Sequence, residues 1–90
     1  MDYEWDRAKA AANPKKHRVA FVDTALSLED PLARTMADPD VSGEERYVCL
    51  GSDPPGRVLV TVFAHRGKII RINSSRKASR AERRTYGTKR

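Results

Sequence analysis

The sequence predicts an α+β fold: N-terminal helices, an antiparallel β-meander, then a C-terminal helix. Three observations predict it. Helix signals gather before residue 30 and return after residue 78. Between them lie three runs rich in β-branched and aromatic residues alternating with polar ones, the two-residue period of a half-buried strand. Short turns containing Gly and Pro separate these runs, and connections that short join antiparallel neighbours. Ninety residues leave room for one domain, 1–90, with a thin core.

Tyr3-Glu4-Trp5 is a short extended start. Asp6 is a suitable N-cap for a helix over 7–12, in which Ala8, Ala11 and Ala12 share one face. Asn13-Pro14 is expected to interrupt or kink that helix, because proline disfavours helical geometry in the residue before it. A second helix over 21–28 carries Phe21, Val22, Ala25, Leu26 and Leu28, and Glu29-Asp30-Pro31 ends it. Residues 32–36 form a weak strand, followed by a polar loop from Asp38-Pro39-Asp40 to Gly43. Stronger strands are expected at about 45–51, 57–64 and 68–73. Asp53-Pro54-Pro55-Gly56 is a turn and Arg66-Gly67 a tight hairpin connection. Ser79-Arg80-Ala81-Glu82 reads as a capping box for a last helix reaching Tyr86.

Strict alternation divides the sheet into two faces. One is apolar: Val48, Leu50, Val58, Val60, Val62, Ile70 and Ile72. The other is mixed, and on it alternation gathers Glu45, Tyr47, Thr61 and Arg71 as a candidate site. A slip of one residue would scatter that group.

Charge is unevenly spread. Residues 66–90 hold ten Lys or Arg and one acid (Glu82), a local charge of +9, whereas 1–65 hold eight bases and eleven acids, a charge of −3. A basic C-terminal third points to a polyanionic partner, nucleic acid first among them, against the plain alternative of a solvated tail. The longest apolar run, 58–64, is broken by Thr61 and too short to span a bilayer, so no membrane partner is expected. The chain opens without a charged-then-apolar leader, and its single Cys49 suits a reducing compartment; a cytoplasmic location is expected.

Chemistry has few possible sources. One cysteine and two separated histidines, His17 and His65, offer no zinc spacing, and no metal or cofactor is expected. Asp38, Asp40, Glu44 and Glu45 carry hard-cation ligands, but acidic surface loops are commoner. Neither a phosphate-binding glycine loop nor a nucleophile elbow occurs. Arginine-rich phosphate chemistry remains. RNA carries its own nucleophile, the 2′-OH, and an enzyme then needs a base, an acid for the leaving 5′-oxygen and cations around the phosphorane. Glu45 or His17 is a candidate base; His17, Lys16 or Tyr47 a candidate acid; Arg71 and Arg76 candidate phosphate clamps. Trp5 and Cys49 read as packing residues and His65 as an exposed one. Arg76, Arg80 and Arg83 or Arg84 form one basic ridge if the last helix starts early, facing either RNA or an acidic protein.

Taken in order, the residues from Tyr3 to about Tyr86 resemble the BrnT family of type II toxins. The likeness runs through Tyr3-Glu4-Trp5-Asp6, Lys9, Asn13, Lys16-His17, Val19 and Phe21. It continues through Asp30-Pro31-Leu32, Asp38-Pro39-Asp40 and Gly43-Glu44-Glu45-Arg46 to Gly51. It ends with Arg71-Ile72, Ser74, Arg76-Lys77-Ala78, Glu82-Arg83 and Tyr86. The resemblance implies a fold similar to the RelE-type ribonuclease toxins and metal-independent RNA cleavage that halts translation. It also implies neutralisation by a BrnA-type antitoxin, through which alone DNA would be contacted. On the family pattern the catalytic residues are Lys16, His17, Glu45, Arg46, Arg71 and Arg76, with Lys77, Arg80 and Arg83 supporting RNA contact. Two departures stand out. Arg71-Ile72-Asn73-Ser74-Ser75-Arg76 replaces a family stretch that usually reads Arg-Ile-Ile-Ser-Ala-Arg. Arg18 stands where the family often has a glycine that would cap the helix. Either departure is compatible with an alternative: a toxin-fold protein that binds RNA or antitoxin but cleaves poorly.

Overall fold

The computed structural model describes residues 2–38 and 45–87. The elements run β1 (Asp2–Trp5), α1 (Arg7–His17), α2 (Phe21–Leu28), β2 (Arg34–Ala37), β3 (Arg46–Ser52), β4 (Val58–Arg66), β5 (Ile69–Lys77) and α3 (Arg80–Gly87). The strands form a five-stranded sheet in the order β1-β5-β4-β3-β2. The expected meander is present from β2 to β5. The purely antiparallel description is corrected, because β1 comes before the helices and pairs parallel with β5, Glu4 opposite Arg71 and Trp5 opposite Ile72. Residues Pro39 to Glu44, and with them most of the acidic loop read from the sequence, lie outside the described residues.

The helix α1 does not stop at Pro14. Asp6 caps its start, accepting from the Lys9 amide at 3.0 Å, and it continues to His17. Arg18 then takes the left-handed conformation (φ 59°), with its amide on the Pro14 carbonyl at 2.8 Å. Proline removes one helical hydrogen bond, and the side chain before it anchors the helix to the sheet at this point. Asn13 donates through Nδ2 to the carbonyls of Val19 and Ser75, each at 2.8 Å, and accepts from the Ser75 amide at 3.4 Å. Where β1 ends, the Asn13 amide thus stands in for a neighbouring strand along the free edge of β5 and fixes α1 there. Ala8, Ala11 and Ala12 are exposed, and Asn13 is the buried residue of this helix.

The span of α2 is as expected. Phe21, Thr24 and Ser27 face the sheet, while Val22 (60% exposed) and Leu26 (51%) point outward. Small side chains are required because the Ser27 carbonyl meets Gly51 of β3, where an added Cβ would lie 2.2 Å from that oxygen. The turn over 53–56 is also present. Asp53 is buried, accepts from the Arg57 amide and side chain at 2.7 Å each, and holds Arg57 so that it also reaches the Arg18 carbonyl at 2.9 Å.

Two apolar clusters lie on opposite faces of the sheet. Val48, Leu50, Val58 and Val60 pack with Ala78 and Tyr86 under α3. Cys49, Phe63 and Ile70 pack with Tyr3, Leu28 and Tyr47 on the side of α2. The expectation that Ile70 and Ile72 share the face of the valines is therefore corrected. Val62 pairs with Ser74 but Phe63 pairs with Ile72, so Asn73 is the extra residue of a β-bulge. The bulge resets the pleat midway along β5. As a result Arg71 moves to the face that carries Val62, Ser74 and Arg76, while Ile70 and Ile72 go to the other. The last strand runs four residues further than expected, to Lys77, and the two-residue hairpin turn is Gly67-Lys68, with Gly67 at φ 62°. The capping box forms: the Ser79 amide donates to Glu82 at 2.8 Å and the Glu82 amide to Ser79 Oγ at 3.2 Å. Tyr86 closes α3 onto the fold by donating to Asp30.

Candidate active site

The C-terminal turn of α1, the start of β3 and the bulge of β5 converge on one open pocket of about 340 Å³. It is lined by Lys9, Ala12, Asn13, Lys16, His17, Arg46, Asn73 and Ser74. Lys16 and His17 belong to a basic last helical turn, favoured there by the negative end of the helix dipole. Arg46 and Ser74 reach the pocket from the face opposite α2. Three of the six residues expected to carry chemistry, Lys16, His17 and Arg46, are thereby brought together. Among the lining residues Lys9, Lys16 and Arg46 are cations and none is acidic.

Arg71 and Arg76 share this face. Arg71 stands in one cross-strand row with Ala64 and Arg46, and its Nη1 meets Glu4 Oε2 at 2.7 Å. Arg76 lies beyond Ser74 and grips Glu82 with both terminal nitrogens, at 2.8 and 2.9 Å. The same bonds, with the Ser79 amide, hold the Glu82 carboxyl down at about 2. A phosphate approaching either arginine must share it with, or take it from, a carboxylate.

Glu45 and Tyr47 are placed elsewhere. The Tyr47 hydroxyl donates to Glu45 Oε2 at 2.8 Å, and its ring stacks on Phe63 with centroids 5.6 Å apart, on the α2 side of the sheet. The bond from Glu45 raises the Tyr47 pKa, which makes the phenol a poorer proton donor. Grouping Arg71 with Glu45, Tyr47 and Thr61 is corrected by the same bulge: those three share one face, and Arg71 is on the other. Lys77, Arg80 and Arg83 are exposed on the end of β5 and on α3 and do not line the pocket. Because α3 starts at Arg80, Arg76 is a strand residue and not the first of a helical ridge. Trp5 packs edge-on against Phe21 at 5.8 Å, and burial raises the Cys49 thiol pKa, so both act as packing groups.

Five pocket residues lie outside the set expected to carry chemistry: Lys9, Ala12, Asn13, Asn73 and Ser74. Lys9, Asn13 and Lys16 are spaced i, i+4, i+7, one stripe of a helix. Ending the helix at Pro14 hid that stripe. Asn73 and Ser74 depend on the bulge, which alternation alone does not reveal. Asn73 has one further property: its Nδ2 is shut off from solvent and has no hydrogen-bond partner among the described residues. Leaving such a group unpaired costs about 1–3 kcal/mol.

These elements define a small α+β protein: a mixed five-stranded sheet flanked by helices, with a basic pocket at the end of α1. The crystal structure of the ribonuclease toxin BrnT from Brucella abortus superposes with a TM-score of 0.66 at 23% identity, over 89% of this chain and 99% of that one. At that identity the likeness is one of fold. The family comes from the sequence: residues 5–82 match the ribonuclease toxin BrnT of type II toxin–antitoxin systems, and the chain belongs to that family. No curated protein sequence matches it. Among the described residues no helix is long and apolar enough to cross a membrane.

Proposed function

We propose that the pocket is the active site of an endoribonuclease that cleaves RNA by internal attack, without a metal, and so blocks translation. The observation that carries this reading is the meeting of His17, Lys16 and Arg46 in one basic pocket. His17 takes the proton of the 2′-OH as its oxygen attacks the adjacent phosphorus. The P–O5′ bond breaks, Lys16 returns a proton to the departing 5′-oxygen, and a 2′,3′-cyclic phosphate remains. Arg46 and Lys9 stabilise the phosphorane charge, with Arg71 one cross-strand pair away from Ala64 and available once it releases Glu4. The exposed Lys77, Arg80 and Arg83 hold the RNA backbone outside the pocket. The protein acts in the cytoplasm as one domain, 1–90, related to the RelE-type toxins. A BrnA-type antitoxin covers it and is its only link to DNA.

The test is induction of the chain without antitoxin, reading growth and RNA integrity beside His17→Ala, Arg46→Ala and Glu45→Ala. Arrest with cleaved RNA in the wild type, and a loss of about a hundredfold or more in the folded His17 and Arg46 variants, supports the reading. Cleavage that survives His17→Ala but not Glu45→Ala transfers the base to Glu45. A second reading is favoured by one observation, that Arg71 and Arg76 each already hold a carboxylate. It is a toxin-fold protein that binds RNA or antitoxin and cleaves poorly. A soluble, folded wild type that neither arrests growth nor cuts RNA establishes that reading instead.

A further inference from the structure

We propose that Glu4 is an internal competitor for RNA: its carboxylate holds Arg71 until a phosphate of the bound strand takes its place, and so sets how tightly the site grips RNA. The inference rests on the pocket being an RNA site and adds what limits its affinity. Pairing across β1, β5, β4 and β3 puts Glu4, Arg71, Ala64 and Arg46 in one row on one face of the sheet. Arg46 lines the pocket. Arg71 stands two strand spacings from it, about 10 Å, with the small side chain of Ala64 between them. Two arginine side chains can close that span over an alanine and meet on one phosphate. Arg71 is also close to the start of α1: the Asp6 carboxyl is held low chiefly by the Lys9 amide, and further by the charges of Lys9 and Arg71. Lys9 is itself a pocket residue. Arg71 thus stands beside pocket cations, yet its guanidinium is engaged on the side of the edge strand, where Nη1 donates to Glu4 Oε2 at 2.7 Å.

The two carboxylate-bound arginines of this face differ in kind. Arg76 grips Glu82 with two nitrogens and also donates to the Lys77 carbonyl at 3.3 Å, while Glu82 caps α3 through the Ser79 amide. Freeing Arg76 would disturb the start of a helix. Arg71 is held through one nitrogen, and the Glu4 carboxylate has no second partner among the described residues. Both side chains of that pair reach solvent, at 29% and 35% exposure, so the contact is open to exchange. A phosphodiester offers Arg71 the same single negative charge and acceptor oxygens as the carboxylate, so the guanidinium is never left unpaired. The exchange returns Glu4 to water beside a strand of like charge. Every binding event therefore has to overcome the attraction between Glu4 and Arg71.

Binding to a short 2′-O-methyl oligouridylate, which lacks the attacking hydroxyl, tests this without cleavage. Glu4→Gln should bind the strand about two- to fivefold more tightly than the wild type, the gain expected when a partly exposed ion pair no longer competes. Asp2→Asn removes an exposed carboxylate from the same strand, reports the effect of net charge alone, and should gain less. Arg71→Met keeps the aliphatic stem and loses the charge. In that background Glu4→Gln should gain no more than Asp2→Asn does. Urea unfolding followed by Trp5 shows that each variant is folded. Unchanged or weaker binding by Glu4→Gln overturns the competition, as does a gain that Asp2→Asn matches or one that persists beside Arg71→Met; the RNA site stands in each case. A folded wild type that does not bind the strand removes both the inference and the RNA-site reading beneath it.

Discussion

Asn13 ties the site to the sheet, and replacing it should loosen both stability and function. Its side chain makes three hydrogen bonds, to Val19 and twice to Ser75, in a position that is 7% exposed. In Asn13→Ala the Val19 carbonyl and, on the β5 edge, the carbonyl and amide of Ser75 lose this partner. At roughly 1 kcal/mol for each bond lost or group left unpaired, the cost is about 2–4 kcal/mol. A domain of this size has only about 5–13 kcal/mol in all. Urea unfolding followed by Trp5, whose ring packs against Phe21, reads this directly. With a slope of about 1 kcal/mol per molar, the midpoint should fall by about 2–4 M. Asn13→Asp is the sharper variant. It keeps the shape but turns a carboxylate toward two carbonyl oxygens now 2.8 Å from Nδ2, so at neutral pH it should be at least as damaging as Ala. The folded-state pKa of that aspartate is raised above its unfolded value. Its penalty is therefore full above the folded pKa and disappears as pH falls toward the unfolded one, about 4. Because Lys16 and His17 ride on the same helix, any RNA cleavage should fall with stability. A shift under about 0.5 kcal/mol for Asn13→Ala would falsify the anchoring argument, as would an Asn13→Asp penalty that does not shrink in acid.

Three further outcomes are expected. Gly51→Ala places a Cβ 2.2 Å from the Ser27 carbonyl and must push α2 off the sheet, costing about 1–3 kcal/mol by thermal unfolding; a neutral result means α2 does not sit where it is placed. Arg18→Gly removes a Cβ from a left-handed residue and leaves the bond from Arg57 to the Arg18 carbonyl intact. It should stabilise by about 0.5–1 kcal/mol, raising Tm by a few degrees, and a fall in Tm contradicts the cap assignment. Glu82 titrates at about 2 in the fold against 4.5 ordinarily, held down first by Arg76 and then by the Ser79 amide. Its contribution is full above the unfolded pKa and is lost as pH falls from 4.5 toward 2. Because the pair is largely exposed, about 1 kcal/mol is the expected size, and Glu82→Gln should flatten the acid limb of the Tm–pH curve by that amount.

Much of this molecule was legible as local signals. The Asp6 cap, the span of α2, the turn over 53–56 and the Ser79–Glu82 capping box are each written in a few adjacent residues, and each forms. The order of the family residues carried the toxin assignment in the same way, through matches spread from Trp5 to Glu82. Lys16, His17 and Arg46 were named together from the family pattern, and the fold brings the three to one pocket.

What escaped depends on contacts between distant segments. Whether Pro14 ends a helix is a local question, yet the answer came from Ser75, 62 residues away from Asn13. Helical periodicity could not say that Thr24 and Ser27, not Val22 and Leu26, face the sheet, because that choice is made by Gly51 on another strand. Composition and local pattern, which need only neighbouring residues, determined the element types, the caps, the charge and the family. The pairing of β1 with β5 and the bulge at Asn73 were decided in the tertiary structure alone. A one-residue offset leaves local propensity almost unchanged but moves every side chain beyond it to the other face. Through that offset Arg71, Ser74 and Arg76 come to share the face on which Arg46 stands.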